Sequence, residues 1–381
     1  MAELARSARE AGRLAIDTEF MSERHYQALL CLVQVAVADG GEQQGVRTEV
    51  VDPLADIEPG PLAEALADPT VEVIVHAGRQ DVAILRRTWH TEVTNVFDTQ
   101  VAAAFLGYGL QEGYKALVHR VLGVDVPATE AFTRWDRRPL TDHQLEYARA
   151  DAAHLLTLGR AMEDQLTAAG RLEWAREECR ALEQSSDDRD VDALFKRLPR
   201  AARLKARERA IAYALVRWRE DVASELDRPA ASVLADHVLV ELARTAPSTP
   251  EQLAAARGLP AQTLHRRSRE LLEAIRAGTS TSPPAVHDEA PRPDARNAPL
   301  VALAQAVVRH RALKARIATE LIATQADLAA LVGDVRSGTT DPRSRVLRGW
   351  RRDLVGDELL DLLAGRRRVG IGADGLEIAA G

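Results

Sequence analysis

Cysteine is nearly absent from this sequence of 381 residues, in which Cys31 and Cys179 are the only two. A framework of several disulfides and a multi-cysteine zinc site are therefore both excluded. Uninterrupted apolar runs are missing as well, since no stretch approaches the roughly 20 residues that a membrane-spanning helix needs. Residues 1–10 lack the apolar run of a signal peptide. We therefore expect a cytoplasmic protein that has no membrane partner.

Lysine is scarce, so arginine carries almost all of the positive charge: only four of the 50 basic residues are lysine. The net charge of −7 is also uneven, with −14 on residues 1–188 (18 basic against 32 acidic) and +7 on residues 189–381 (32 against 25). Arginine forks match the geometry of phosphates. The basic half is therefore a candidate surface for a polyanion, and the acidic half is a candidate holder of cations. The alternative is that these arginines only solvate helices and pair with neighbouring acids.

The apolar pattern predicts an α/β region followed by an all-helical region. Strands are predicted at residues 14–16, 29–38, 46–51, 71–75 and 93–97. Helices are predicted at residues 61–66, 80–88, 99–106, 141–182, 201–226, 231–244, 250–258, 262–276, 300–331 and 346–363. Strands concentrated early, with helices between the later ones, indicate an α/β sheet with a mixed, partly antiparallel edge.

Three domains and a linker follow from this pattern. We assign residues 1–188 to the α/β domain, 189–278 to a first helical domain and 299–368 to a second helical domain. Residues 279–298 hold Ser, Thr and Pro with little apolar content, which is typical of a linker. Residues 369–381 are interpreted as a tail, and we expect the chain to be a monomer.

Two carboxylates lie close together in the first predicted strand. Asp17-Thr18-Glu19 ends that strand, and side chains two apart on a strand point to the same face. Adjacent carboxylates repel each other unless a cation lies between them, and hard oxygen ligands suit Mg²⁺ or Mn²⁺. The alternative is a solvated turn, because acid-x-acid triplets are common at this charge content.

A tyrosine and an aspartate share one face of a predicted helix. Tyr147 and Asp151 are four residues apart, which places the phenol and the carboxylate about one turn from each other. In that arrangement the phenol holds an attacking water while the carboxylate binds a metal. The alternative is a half-buried tyrosine beside a surface aspartate.

Polar residues follow the predicted strand that ends at Val75. His76 and Asp81 lie in the segment that opens the next helix, at the carboxyl edge where open α/β sheets place their sites. Asp81 is either a metal ligand or an acid that complements the helix dipole in the first turn. Asp98 repeats the strand-to-helix pattern, and there we expect an N-cap.

In this order along the chain, these motifs resemble those of the ribonuclease D family. The segments AIDTEF, LCLVQVA, VIVHAGRQDVAIL, FDTQVAAAFLG and RPLTDHQLEYARADAAHLL agree as well, so the resemblance covers about residues 14–165. It implies a ribonuclease-H-like fold in the tyrosine subclass of the DEDD exonuclease superfamily. The positions that match the family's four acids and its tyrosine are Asp17, Glu19, Asp81, Asp151 and Tyr147. The sister subclass has a histidine where Glu146 stands here.

The basic half carries a second resemblance. Residues 215–243, with Trp218-Arg219 and the Asp227-Arg228-Pro229 motif (DRP), are similar to an HRDC domain, a helical module shared by ribonuclease D and some helicases. Residues 300–363 look like a degraded second copy that has no D-x-P motif. The family resemblance implies a nuclease followed by two HRDC-type modules.

The resemblance implies a metal-dependent 3′→5′ exoribonuclease with a two-metal mechanism. Two divalent ions, Mg²⁺ or Mn²⁺, are held by the four acids, and Tyr147 orients the attacking water. The implied substrate is structured RNA with a free 3′ end, such as a tRNA precursor, and the products are nucleoside 5′-monophosphates. Phe20 and His76 are candidate substrate contacts, although a core position for Phe20 fits the sequence equally well.

Two other functions share these features. One is a DNA-directed exonuclease of the same fold, because the preference for RNA depends on a contact to the 2′-hydroxyl. The other is an inactive nuclease-fold scaffold that binds RNA or protein, which the five filled catalytic positions argue against. The chain is not itself a helicase, since no G-x-x-x-x-G-K-[ST] loop occurs in it. We expect a fragment of residues 1–188 to keep cleavage chemistry on short oligonucleotides.

Overall fold

The structure is a computed structural model, and it describes residues 1–38, 45–126, 134–281, 295–339, 344–372 and 375–381. Within these ranges, no helix has both the length and the apolar character required to cross a bilayer. Most of the predicted linker at 279–298 lies outside the described residues.

A mixed sheet organises the first region. Its strands are β1 (Arg13–Met21), β2 (Leu29–Ala38), β3 (Val46–Val51), β4 (Glu72–Val75) and β5 (Val96–Asp98). Their order across the sheet is β3-β2-β1-β4-β5; β2 is antiparallel to both of its neighbours, and β4 is parallel to both of its neighbours. The predicted α/β sheet with a partly antiparallel edge is confirmed. Every residue of β4 is buried, as expected for a strand that is covered on both faces.

Helices cover this sheet. They are α1 (Ala2–Ala11), α2 (Gly60–Ala67), α3 (Arg79–Trp89), α4 (Thr99–Leu106), α5 (Tyr114–Leu122), α6 (Asp142–Ala153), α7 (Leu155–Ala168) and α8 (Leu172–Glu183). The continuous helix predicted at 141–182 is wrong, because the chain breaks at His154 and again at Gly170, whose φ of 66° ends α7. The strand predicted from residue 93 begins only at Val96, because Asn95 takes a left-handed φ of 51°.

Residues 189–281, which we call the first helical module, fold around a core of their own. The module contains α9 (Val191–Arg197), a 3₁₀ turn at Ala201–Arg203, α10 (Ala206–Glu225), α11 (Ala230–Val233), α12 (Asp236–Thr245), α13 (Pro250–Ala254) and α14 (Ala261–Thr279). The long helix predicted from residue 201 begins at Ala206, where the Lys205 N–H donates to the Glu208 carboxylate. The helix predicted at 231–244 is two helices, separated by an extended Leu234.

Residues 295–381, which we call the second helical module, end in strands. The module contains α15 (Ala298–Ala315), α16 (Thr319–Ile322), α17 (Gln325–Arg336), α18 (Gly349–Arg351), a π-helical turn at Arg352–Gly356, α19 (Asp357–Leu363), β6 (Arg367–Gly372) and β7 (Gly375–Ala380). The interpretation of residues 369–381 as a tail is wrong. The two strands pair in a hairpin, and Val369 and Ile378 pack against the core because they lie opposite each other on one face.

The second module and the sheet region share one hydrophobic core. Phe97, Phe105 and Leu155 of the sheet region belong to the same buried cluster as Val307 and Trp350. The opposite face of the sheet has a separate cluster built around β1, β2, β4 and α3. A fragment of residues 1–188 would expose the shared cluster to water, so the expectation that it keeps its chemistry is not supported.

Candidate active site

The sequence suggested that the acid pair ends the first strand. In the structure the pair lies inside β1, which continues to Met21. Asp17 and Glu19 are followed in the same strand by Phe20 and Met21, which pair with β2 after a β-bulge. Because alternate side chains on a strand point to opposite faces, both carboxylates project to one side. Helix α6 packs across that side of the sheet, against β1, β2 and β3.

A tight turn brings Asp81 beside the acid pair. Asp81 lies in the first turn of α3, is 8% exposed, and accepts a hydrogen bond from the Thr18 hydroxyl between the two acids of β1. The turn after β4 leaves no space for a side chain at Gly78, since a Cβ there would lie 2.5 Å from Val75 Cβ. Asp98 caps α4 by accepting from the Gln100 N–H, as predicted.

Helix α6 supplies the tyrosine and the fourth acid. A capping box between Thr141 and Gln144 begins the helix. One helical face then carries Tyr147 and Asp151, and a hydrogen bond from the Tyr147 side chain partly offsets the burial that raises the pKa of Asp151. Glu146, at the position where the sister subclass has histidine, is exposed.

The four acids lie in a desolvated site, and burial raises the pKa of each of them. Burial, and then the charges of Asp81, Asp151 and Glu19, raise the pKa of Asp17 well above its usual range. Burial and the charges of Asp151 and Asp81 raise the pKa of Glu19 to about 8. Burial also raises the pKa of Asp81 to about 6, and it raises that of Asp151 despite the Tyr147 hydrogen bond and the Lys115 charge. The charges of neighbouring acids therefore add to the effect of burial at Asp17 and at Glu19.

This donor set fits divalent cations. All four side chains offer hard oxygen atoms, the ligands that Mg²⁺ and Mn²⁺ prefer, and a cation between them would remove the repulsion that raises their pKa values. In the part of the chain that the structure describes, no group of three or more His, Cys, Asp or Glu side chains is already arranged so that it could hold a metal ion.

A cavity of about 480 Å³ opens over Asp17 and Asp151. Its other walls are His76, Gly113, Tyr114, Lys115, Ala116 and Leu155. His76 is held by a 2.9 Å hydrogen bond between Nδ1 and the Thr99 hydroxyl, and burial lowers its pKa. The Tyr114 hydroxyl accepts from the His154 N–H at 3.2 Å. The predicted contact residue His76 therefore lies at the cavity.

The α5 side of this cavity was not predicted from the sequence. Tyr114 and Lys115 open α5, which Gly113 and Gly123 bracket at its two ends. Those glycines, with the buried Leu117 and Val118 between them, are the signal that predicts a short helix here. Phe20 does not line the cavity. It is partly buried and packs against the cluster on the other sheet face, which favours its interpretation as a core residue.

Comparisons with known proteins identify the family of this chain. A family model of 3′-5′ exonuclease domains matches residues 1–167, and a model of HRDC domains matches residues 208–275. The protein named ribonuclease D in Granulibacter bethesdensis is 35% identical over 384 residues, which cover 99% of this chain and 93% of that protein. The chain belongs to the ribonuclease D family. Its sheet region is the exonuclease domain, and the predicted HRDC resemblance is confirmed for the first helical module.

Further ribonuclease D proteins agree over almost the whole length. The one from Nitrobacter hamburgensis is 35% identical and aligns over 94% of this chain and 91% of its own. The crystal structure of Escherichia coli RNase D, described as an exoribonuclease involved in structured RNA processing, superposes with a TM-score of 0.80 at 25% identity and covers 96% of each chain. As a member of this family, the chain is a 3′→5′ exoribonuclease of a superfamily that depends on divalent metal ions.

Proposed function

We propose that this exoribonuclease trims the 3′ ends of structured RNA, such as tRNA precursors, and releases nucleoside 5′-monophosphates at the cavity over Asp17 and Asp151. The observation that carries the proposal is that Asp17 of β1 and Asp151 of α6 line one cavity, together with His76, Tyr114 and Lys115. The structured-RNA role of the Escherichia coli relative supports the substrate class. We also expect a cytoplasmic monomer.

The carboxylates of Asp17, Glu19, Asp81 and Asp151 would hold two divalent ions, Mg²⁺ or Mn²⁺. When bound, the ions supply positive charge at both the attacking and the leaving oxygen of the phosphodiester. The raised pKa values mean that the acids give up their mutual repulsion when cations bind, so occupancy and full ionisation are coupled.

The remaining side chains position water and substrate. The Tyr147 hydroxyl, bonded to Asp151, orients the attacking water above that carboxylate. Burial raises the pKa of Asp151, and the charge of Lys115 partly offsets this effect, which favours the ionised carboxylate. Tyr114 and Leu155 form the apolar part of the cavity, which suits a terminal nucleoside.

The helical modules would extend the contact with RNA. We infer the division into 1–188, an HRDC-type module at 189–278, a linker at 279–298 and a second HRDC-like module at 299–368. Phosphate contacts from their arginines would make affinity fall steeply with salt. Some of these arginines do not form a simple basic patch, because they pair with acids of the same module. Arg219 pairs with Glu220 and Asp236, and Arg267 pairs with Glu225.

The test replaces one acid and removes the metal. In Asp17→Asn we expect cleavage to fall by several orders of magnitude while the melting temperature does not drop, because a repelling buried charge is lost. EDTA is expected to stop the wild-type enzyme, and Mg²⁺ or Mn²⁺ to restore it. Activity that persists in excess chelator would contradict the two-metal proposal.

Substrate class is tested on the intact enzyme with three labelled substrates side by side: a tRNA precursor, an unstructured RNA and single-stranded DNA. We expect the tRNA precursor to be trimmed from its 3′ end and the DNA to be the poorest substrate. Equal or faster degradation of the DNA would favour the DNA-directed alternative.

A further inference from the structure

We propose that Trp135 and Arg138 hold the ring of Tyr147 in its working position, which makes both of them positioning residues for the reaction. The inference rests on the role proposed above for the Tyr147 hydroxyl. Neither residue is a wall of the cavity over Asp17 and Asp151. Their effect on the reaction would therefore be transmitted through Tyr147.

The Trp135 side chain lies flat against Tyr147. It is 6% exposed, the two ring centroids are 5.7 Å apart, and the rings are inclined by 28°. Beneath them, Met21, Leu32 and Ala148 complete a small apolar cluster between the sheet and α6. A phenol on a half-buried helix face can otherwise change rotamer, and a stacked indole that is itself buried removes that freedom.

The Arg138 guanidinium fixes the segment that carries Trp135. Its Nη1 donates to the Trp135 carbonyl at 2.7 Å, and its Nη2 donates to the Cys31 carbonyl on β2 at 3.0 Å. Nε donates to the Asp52 carboxylate at 2.6 Å. The hydrogen bonding from Arg138 to the Asp52 carboxylate lowers the pKa of Asp52, so the pair stays charged at neutral pH.

The Cys31 carbonyl is available because of the β-bulge beside the acid pair. Glu19 pairs with Leu32 and Phe20 pairs with Leu30, so Cys31 is the extra residue of the bulge. A bulged residue drops out of the ladder, which leaves its carbonyl to accept from a side chain. Arg138 thus connects β2, the strand that pairs with Glu19, to the tryptophan stacked on Tyr147. In this way it links the acid pair of β1 to the tyrosine of α6.

The experiment is a double-mutant cycle in the full-length enzyme, with kcat and KM measured on a short unstructured RNA. We expect Trp135→Leu to lower kcat by up to about 100-fold, because a misplacement near 1 Å has that effect, and to leave KM within about twofold. Trp135→Phe retains a stacking ring and is expected to recover most of kcat. In a Tyr147→Phe background, the same Trp135→Leu change should alter kcat by less than about twofold.

Matched controls separate positioning from scaffolding. Trp89→Leu removes another buried tryptophan of the nuclease domain, and Arg134→Lys changes an arginine of the same segment that pairs with Asp136. We expect both to leave kcat unchanged, whereas Arg138→Lys, which cannot span the three acceptors, lowers kcat only when Tyr147 is present. A ¹⁹F spectrum of the metal-free fluorotyrosine-labelled protein should show the Tyr147 resonance shifted by Trp135→Leu.

Two outcomes would overturn the inference. One is an equal loss of kcat from Trp135→Leu in both backgrounds, and the other is a lower melting temperature with unchanged kcat. If Tyr147→Phe alone leaves kcat unchanged, the proposed role of Tyr147 fails, and the inference fails with it for that separate reason. If Trp135→Leu does not fold, the cycle is run with Arg138→Lys in the wild-type and Tyr147→Phe backgrounds, and an equal loss of kcat in both would overturn the inference.

Discussion

The two helical modules are attached to the nuclease domain in opposite ways. The first helical module folds around its own apolar cluster, which includes Leu215 and Leu239. The second helical module has no such separate cluster among the described residues, because Val307, Trp350 and Leu359 belong to the core that also contains Phe105 of the nuclease. The first is therefore a docked domain, and the second is a structural part of the nuclease.

The contact of the first module is small and mostly polar. Tyr26, from the loop after β1, packs against a minor cluster that includes Val222 and Ala230. The Asp227 carboxylate accepts the Tyr26 N–H at 3.0 Å and lies 2.7 Å from His25 Nδ1. Asp227 belongs to the DRP motif and takes a φ of 45°. That motif here binds the loop that follows the catalytic strand.

The contact of the second module is aromatic and buried. The Trp350 ring, which is 2% exposed, lies 5.0 Å from the ring of Phe105 and 5.4 Å from that of Trp174. Its Nε1 donates to Glu178 at 3.0 Å, and Arg351 forms an ion pair with the same carboxylate. Separating the second helical module from the nuclease domain would therefore expose apolar surface on both of them to water.

Deletion of residues 295–381 is the sharpest way to break the comparison. Losing one buried aromatic side chain costs about 3–5 kcal/mol, and a whole domain is stable by only about 5–15 kcal/mol. We expect the shortened chain to lose cooperative urea unfolding, followed by circular dichroism. If the shortened chain unfolds cooperatively at the wild-type urea midpoint, the second helical module is also a docked domain.

A matched pair of leucines tests the same difference without deletion. Leu359→Ala in the second module and Leu215→Ala in the first both remove a fully buried side chain, at a cost of about 2–5 kcal/mol each. We expect Leu359→Ala to lower the temperature at which cleavage of a short RNA is lost. Leu215→Ala should unfold its own module earlier while that cleavage persists to the wild-type temperature. Equal losses of activity would erase the distinction.

Glu178→Gln removes one charge from the contact between the second helical module and the nuclease domain. We expect it to lower the free energy of unfolding by about 2 kcal/mol at neutral pH. Burial alone would raise the pKa of Glu178, but hydrogen bonds from Arg351 and Trp350 lower it below 4.5. A carboxyl group whose pKa is lower in the folded state stabilises that state at pH values above its pKa in the unfolded state. This contribution is lost as the pH falls through its pKa in the folded state. The difference in urea midpoint between the variant and the wild type should therefore shrink below pH 4.5. A difference that does not change with pH would mean that the variant loses stability through packing and not through the lost charge.

Asp227→Asn in the first contact has the smallest expected effect. Its side chain is 63% exposed, and exposed pairs contribute less than about 1 kcal/mol. The global urea midpoint should stay within error, while amide hydrogen exchange in the loop around Tyr26 becomes faster. A loss as large as that of Leu359→Ala would mean that the docked module is as integral as the other.

Two pairs of candidate-site residues could be predicted because the geometry within each pair is local. Asp17 and Glu19 share a face in any strand, and Tyr147 and Asp151 share a face in any helix. The order of strands and helices was predictable for the same reason, since β-branched runs and apolar periodicity act over a few residues. The breaks inside α6–α8 were not, because they depend on single backbone angles such as that of Gly170.

The sequence by itself determined which chemical groups the site contains, and only the tertiary structure decided what holds them and what belongs to the nuclease. Arg138 reaches Cys31 across 107 positions, and Trp350 reaches Glu178 across 172. No periodicity signals such contacts, because the partners share neither a strand nor a helix. They form when distant segments are buried together, where an apolar surface needs cover and each polar group needs a partner.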